Sequence, residues 1–511
     1  MLKSESVNVK NPNIWVGVLV YCIAYWIFNV NGLLIDNDTI EYIGFAKKYE
    51  CFTIPKSPYY QPGTGLFIWV IKKLLNINYI FAFRVLNFIS GLFLVVALIK
   101  ILPPKEDHRF LSISMSLSPV VLYLSSLLYA DIVFLAVAFW GLVFLVKHTE
   151  TDKIHGLIVS GILFGISIFI KYNGIAITVS GCLFLALIYF KKDKGSIKKI
   201  LAKIIILSLP SILYVIFWKI YNGKLGLVEF TNYMHKVDFE CIMFYLKLNT
   251  LSLYRLVIDR LTLGLTSFVS HYYLWFAILL SIFGFRKKLL NMFKINNMQF
   301  YNKQVLLLLI VAIVYAVAVT TMHSLNCYSE PEVRLYSITF IGGLIILVMI
   351  LMRITDKLIN KYFKIMILIS ALLYQTFILV RILAETSDAR VSLNNSKYSK
   401  IIGKLKVHLK GENLKGYATP LFNRHWFALG GDYSALAIFH GQRHFHLGQL
   451  YEYNDSQYKE MVRLTVSDLK SNYYLVVECS EDFILRNESF LKKTTPVFKE
   501  DNIYVFRGSD Q

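Results

Sequence analysis

Long apolar runs, almost free of charge, dominate this chain and limit the folds open to it. The first is "NIWVGVLVYCIAYWIFNVNGLLI", and runs like it recur as far as residue 384. Each is about 18–24 residues long, enough to cross a hydrocarbon core about 30 Å thick. Lipid offers backbone groups no hydrogen-bond partners, so a crossing segment is a helix or part of a closed barrel. Runs of this length mean helices. About eleven spans are expected, with cores at 13–35, 79–101, 110–129, 131–147, 155–171, 174–190, 201–221, 263–285, 304–323, 335–352 and 364–384. The first run is too long for the apolar core of a signal peptide and lacks a small-residue cleavage site, so it reads as the first span.

The composition agrees: 56% of residues are hydrophobic and 17% charged, against about 45–50% and about 25% in soluble domains. The net charge of +21 does not point to nucleic acid. The Lys and Arg residues fall largely in short loops such as "KKDKGSIKKILAK", "RKKLLNMFKINNMQFYNK" and "RITDKLINKYFK". With alternating spans these three loops share one side, and basic short loops mark the cytoplasm. A multi-pass protein of the plasma (inner) membrane is expected, with its N-terminus cytoplasmic. The 222–262 loop, "SLNCYSEPEVR" and everything after about residue 386 are then extracytoplasmic, and so is a first outer loop at about 36–78.

Two domains follow: a transmembrane part, residues 1–385, and a small soluble extracytoplasmic α/β domain, residues 386–511. The tail mixes charge with short alternating segments, "NYYLVVECS" and "NIYVFRG", that read as strands. No internal repeat or low-complexity segment is evident. Cys22 and Cys182 lie in apolar runs as packing residues. Cys51, Cys241, Cys327 and Cys479 fall on the outer side, where disulfides form, but sequence does not pair them. His425, His440, His444 and His446 cluster without the spacing of a metal site.

The first outer loop holds the densest polar chemistry. In "DNDTIEYIGFAKKY", Asp38, Tyr42 and Ala46 recur every fourth residue and share one face of a helix. Asp38 stands where that helix begins, where the helix dipole favours a carboxylate, so a plain N-cap is the structural alternative. "PKSPYYQPGTG" then forms a turn, and the apolar segment "LFIWVIKKLL" is too short to span and suits an interfacial helix.

With these features the sequence resembles the GT-C class of membrane glycosyltransferases, in its ArnT-like and protein-O-mannosyltransferase-like branch. Asp38, Tyr42 and Ala46 match the acidic residue, Tyr and Ala of the class's first outer loop, and "YYQPGTGLFIWVIKKLLN" matches the Pro-containing lead into an amphipathic helix. "SPVVLYLSSLLYADIVFLAVAFWGLVFLV" puts Asp131 at a second acidic position. "GLIVSGILFGISIFIKYNGIAI" resembles a Gly-rich helix ending in a base, here Lys171. "PEVRLYSITFIGGLIIL" resembles the Arg-Tyr motif before a late helix, with Leu335 interposed between Arg334 and Tyr336. The resemblance implies an all-α GT-C membrane bundle and transfer of a sugar from a polyprenyl-phosphate carrier to an outer-face acceptor.

That chemistry suits these residues. An acceptor hydroxyl attacking an anomeric carbon must lose its proton, and a carboxylate can take it. Asp38 is the candidate base, Asp36 the runner-up, and Asp131 a second acid that orients the acceptor or a Lys, or else a turn residue capping the next helix. Direct attack inverts the anomeric centre and needs no carboxylate nucleophile. The polyprenyl-phosphate leaving group needs cations, for which Arg334, Lys171 and Arg84 are the candidates, with Arg the better bidentate clamp. Arg84 otherwise snorkels or pairs with Asp131 or Asp38. Lys47 and Lys48 read more simply as snorkelling residues. Tyr59, Tyr60 and Tyr129 suit sugar stacking, or an interfacial aromatic belt, and the resemblance makes Tyr42 a further substrate-binding residue.

No cofactor is required by this chemistry, and no cluster demands a divalent metal. The expected partners are a polyprenyl-phosphate sugar, a glycan or lipid acceptor of lipopolysaccharide or O-antigen type, and the bilayer itself. Three other classes remain open. An O-antigen polymerase or ligase would use the 222–262 loop with His235, Asp238, Glu240, Arg255 and Arg260. A flippase or secondary transporter would show related halves. A membrane scaffold would depend on none of these residues.

Overall fold

The structure is a computed structural model that describes residues 12–30, 33–34, 37–55, 60–101, 108–192, 197–222 and 300–325. It also describes residues within 243–247, 336–342 and 369–380, and the strand residues 390–391, 474–478, 496–500 and 503–507. The chain divides into two units, residues 1–28 with 44–384, and residues 29–43 with 385–511.

In the first unit the described helices are, in chain order, α1 Pro12–Asn29, α2 Asn37–Glu50 (shared with the second unit), α3 Gly63–Leu75, α4 Tyr79–Ile101, α5 His108–Ser116, α6 Pro119–Ser126, α7 Asp131–Thr151, α8 Ile154–Ile170, α9 Gly174–Lys192, α10 Ile197–Asn222 and α11 Phe300–Leu325. Among the described residues, α4, α7, α10 and α11 contain segments long and apolar enough to cross a membrane. α1, α5–α6, α8 and α9 contain shorter apolar segments. α7 is central and packs on α4 and α8, α8 packs on α10, and α9 packs on α10 and α11. One face of α10 is apolar and exposed, through Leu201, Ile205, Leu209, Leu213 and Phe217, as a lipid-facing helix requires.

Most expected span cores reappear as helices, with two corrections. The span expected at 13–35 ends at Asn29. The span expected at 110–129 is two helices, α5 and α6, because Ser118 is not helical (φ −56°, ψ 120°). Pro119 causes this: a residue before proline is pushed out of the α region, and proline itself fits the first turn of a new helix. Pro210 lies inside α10 without ending it. It leaves the Ile206 carbonyl without its helical donor, and that carbonyl faces Gly161 of α8, where a Cβ would lie only 3.1 Å away. Gly165 meets Pro210 in the same way, at 3.2 Å, so the glycines seat α8 against the interrupted stretch. The expected spans 263–285 and, in large part, 335–352 and 364–384 lie outside the described residues.

A polar clamp closes the α7–α8 turn against α9 and α10. Tyr189 donates to Asp152 Oδ1 at 2.8 Å and Lys203 donates to the same oxygen at 2.6 Å. Asp152 itself takes a left-handed conformation (φ 54°).

In the second unit, β1 (Leu33–Leu34) pairs antiparallel with β2 (Arg390–Val391), so a segment early in the sequence joins the C-terminal part. A three-stranded antiparallel sheet has the order β3 (Tyr474–Glu478), β5 (Ile503–Arg507), β4 (Pro496–Glu500). The two segments read as strands form β3 and β5 and pair with each other.

Candidate active site

Three consecutive residues after α8 organise one end of the bundle. Lys171, Tyr172 and Asn173 form the turn into α9, closed by hydrogen bonds from Gly174 N to Lys171 O and from Ile175 N to Tyr172 O, both 3.0 Å. Each of the three side chains reaches a different helix. Lys171 donates to Asp131 Oδ1 at the start of α7. Tyr172 accepts from Trp218 Nε1 of α10 at 2.7 Å. Asn173 donates to the Tyr315 hydroxyl of α11 at 2.9 Å. Tyr315 is buried and stacks on Phe134 of α7.

The Asp131–Lys171 pair suits both helix ends. Asp131 occupies the first turn of α7, where the helix N-terminus favours an anion, and Lys171 sits at the C-cap of α8, where the C-terminus favours a cation. The N-cap of α7 is Ala130, which carries no side-chain capping bond. The Asp131 carboxylate is almost fully buried, 4% exposed, while Lys171 keeps 19%. The stretch before it is anchored by Asn87 of α4, which donates to the Leu127 carbonyl at 2.5 Å.

Beside this turn lies the segment between α2 and α3. Gly63 packs on the Phe169 carbonyl, two residues before Lys171; a Cβ there would lie 2.5 Å from that oxygen. Gly65 packs as closely on Phe45 of α2. Gln61 is buried and accepts a hydrogen bond from Tyr214 of α10. Tyr214 in turn stacks on Trp218 and meets Phe169 edge-on. Outside the spans, Glu50 accepts from Lys72, and that bond holds its carboxyl below the usual carboxylate range. Burial lowers the pKa of Lys47, which lies 6.0 Å from the centre of the Tyr79 ring.

Among the expected site residues, Asp131 and Lys171 are brought together. Asp38 stands in the first turn of α2, with Tyr42 buried one turn on. Tyr60 rests edge-on against Phe45. Arg84 lies beside the Tyr25 hydroxyl, while Asp131, one of the two acids considered for it, pairs with Lys171. Tyr129 is buried two positions before Asp131, and Tyr336 shares a 2.8 Å hydrogen bond with Thr320. Asp36, Tyr59 and Arg334 lie outside the described residues, as do His235, Asp238, Glu240, Arg255 and Arg260 of the 222–262 loop and the tail histidines. Among the described residues no three His, Cys, Asp or Glu side chains gather as a metal site. Sequence reading missed Gln61, Tyr214, Trp218, Asn173 and Tyr315. Polar and aromatic residues inside apolar runs are the signal that marks Tyr214, Trp218 and Tyr315; Gln61, in a loop, and Asn173, in a turn, carry no such mark.

The family model described as dolichyl-phosphate-mannose-protein mannosyltransferase matches residues 56–218. That stretch contains Gln61, Asp131, Lys171, Tyr214 and Trp218, but neither Asp38 nor Tyr315. No curated protein matches the chain. Among solved structures, the chain is similar to ArnT from Cupriavidus metallidurans bound to undecaprenyl phosphate, with a TM-score of 0.55 and 12% identity over 98% of both chains. It is also similar to the archaeal oligosaccharyltransferase AglB from Archaeoglobus fulgidus, in complex with an inhibitory peptide and a dolichol-phosphate (TM-score 0.51, 14% identity, 93% of this chain and 70% of that one). A third similar structure is an Archaeoglobus fulgidus oligosaccharyltransferase complex with zinc and sulfate (TM-score 0.52, 12% identity, 97% of this chain and 73% of that one). With its apolar helices and the helix-end site they assemble, the chain has the GT-C fold of polyprenyl-phosphate-dependent membrane glycosyltransferases.

Proposed function

We propose that this chain is an integral-membrane glycosyltransferase that moves a sugar from a polyprenyl-phosphate carrier to a surface glycan or lipid of lipopolysaccharide or O-antigen type. The reaction takes place on the outer face of the plasma membrane and inverts the anomeric centre. The observation that carries the reading is the buried Asp131–Lys171 pair, on a GT-C fold and inside the stretch matched by the mannosyltransferase family model. The lipid phosphates named with ArnT and AglB support the donor class.

In this reading Asp38 takes the proton of the acceptor hydroxyl as its oxygen bonds to the anomeric carbon. The glycosidic bond to the carrier breaks at the same time, and the polyprenyl phosphate leaves with the electron pair. Lys171 stabilises the phosphate as its charge develops, and Asp131 holds Lys171 in position. Arg84 and Arg334 are the further phosphate candidates, Tyr42 and Tyr60 line the sugar, and no cofactor enters the reaction.

The test is transfer of radiolabelled sugar from polyprenyl-phosphate hexoses in membranes, comparing wild type with Asp38→Asn. Asn keeps the size and capping ability of Asp but cannot accept the proton. A loss of about 10²- to 10⁴-fold at unchanged protein level is expected. Full activity in Asp38→Asn overturns the assignment of the base, and no transfer by wild type from any such lipid overturns the donor class.

A further inference from the structure

The Gln61 carboxamide is held at one end only. Its Oε1 accepts the Tyr214 hydroxyl proton, and its Nε2 is buried with no partner among the described residues. Three residues on, the Thr64 hydroxyl is fully buried and likewise has no partner among the described residues. Native structures seldom leave such groups unmet, because each costs its full desolvation. Two orphaned polar groups on one short segment therefore point to a ligand that satisfies them.

The surroundings limit its chemistry. Tyr214 fixes which end of the amide is free, and Phe169 and Trp218 hold the Tyr214 ring. The Tyr49 hydroxyl donates to the neighbouring Pro62 carbonyl at 3.4 Å. These groups are all uncharged. Among the described residues, a phosphate dianion would find neutral donors at Gln61. A sugar hydroxyl, which accepts and donates single hydrogen bonds beside an aromatic wall, fits both the amide N–H and the Thr64 hydroxyl.

We propose that Gln61, oriented by Tyr214, is a specificity-determining residue that donates a hydrogen bond to a hydroxyl of the transferred sugar, with Thr64 as its companion. This rests on the reading of the chain as a polyprenyl-phosphate-sugar transferase. It assigns the uncharged Gln61–Thr64 segment to the sugar and the charged turn at Lys171 to the phosphate.

The test separates the two. Full-length protein in detergent is titrated with undecaprenyl phosphate and with its glucosyl, mannosyl and galactosyl forms, following tryptophan fluorescence, which Trp218 beside Tyr214 makes responsive. Gln61→Glu keeps the acceptor for Tyr214 and removes the amide donor. The expected result is affinity about tenfold weaker for the best sugar-bearing lipid and unchanged for bare undecaprenyl phosphate. Tyr214→Phe, which frees the amide to rotate, shifts affinity in the same direction by less. Should Gln61→Glu fail to fold, Gln61→Met, of similar volume, carries the same comparison. Equal loss for both lipids, or no loss for either, overturns the assignment of Gln61. Wild type that binds the bare lipid but no sugar-bearing form overturns it too, while leaving the lipid-phosphate site standing. Wild type that binds neither lipid overturns the transferase reading and this inference together.

Discussion

Asp131 and Lys171 illustrate how much a buried charge depends on its partner. Taking one carboxylate out of water is costly, and the cost is met here by an ammonium and a helix N-terminus at once. Removing one partner leaves the other buried and unmatched. Asp131→Asn and Lys171→Met are each expected to destabilise the protein by about 3–5 kcal/mol. The double variant is expected to cost clearly less than their sum. Thermal unfolding of the three variants in detergent checks this, and additivity within about 0.5 kcal/mol would mean the two groups are not coupled. The two residues stand out in the sequence as charges at the edges of apolar runs. Their pairing does not, because they are 40 positions apart and meet only when the start of α7 lies beside the end of α8. Gln61 was harder still: an amide in a Tyr- and Pro-rich turn has no spacing that separates a ligand donor from an ordinary loop residue.

At the scale of elements, helix cores were legible because lipid forces them, and their ends were legible where proline or glycine acts locally. Pro119 and Pro210 show the limit. Both are proline within an apolar stretch, yet the first divides two helices and the second leaves α10 continuous. The difference is tertiary, since α8 presents Gly161 and Gly165 to the interrupted stretch of α10. Gly63 is the comparable close approach between α3 and α8, and it can be set against Gly44. A Cβ at Gly63 would collide with the Phe169 backbone, whereas a Cβ at Gly44 meets nothing within 4 Å. Gly63→Ala is expected to destabilise by about 1–3 kcal/mol, because α3 must withdraw from the Lys171 turn. Gly44→Ala, inside α2, is expected to stabilise by up to about 1 kcal/mol through helix propensity. Unfolding midpoints of the two variants decide it, and equal effects would show that the α3–α8 contact is not tight.

For the whole molecule, the proposed outer-face reaction requires the two ends of α8 to lie on opposite sides of the membrane. Its C-terminal end carries the Lys171 turn and, through Gly63, the segment that follows Cys51. Its N-terminal end follows Lys153 and the Asp152–Lys203 clamp. A helix of 17 residues separates these by about 25 Å at 1.5 Å per residue. The end of α9 and the start of α10, rich in Lys, lie at the Lys153 end, so under the positive-inside bias the proposed reading puts that end in the cytoplasm and the Lys171 turn outside. Cys51 is exposed, with a free thiol, and serves as the reporter. In a variant retaining Cys51 as its single cysteine, a membrane-impermeant maleimide is expected to label intact cells. A second variant, with Lys153→Cys as its single cysteine, is expected to label only after the membrane is opened. The reverse pattern would turn the Asp131–Lys171 site toward the cytoplasm. The acceptor would then be an intracellular molecule, and an outer-face transferase would be excluded even if sugar transfer from the lipid carrier were retained.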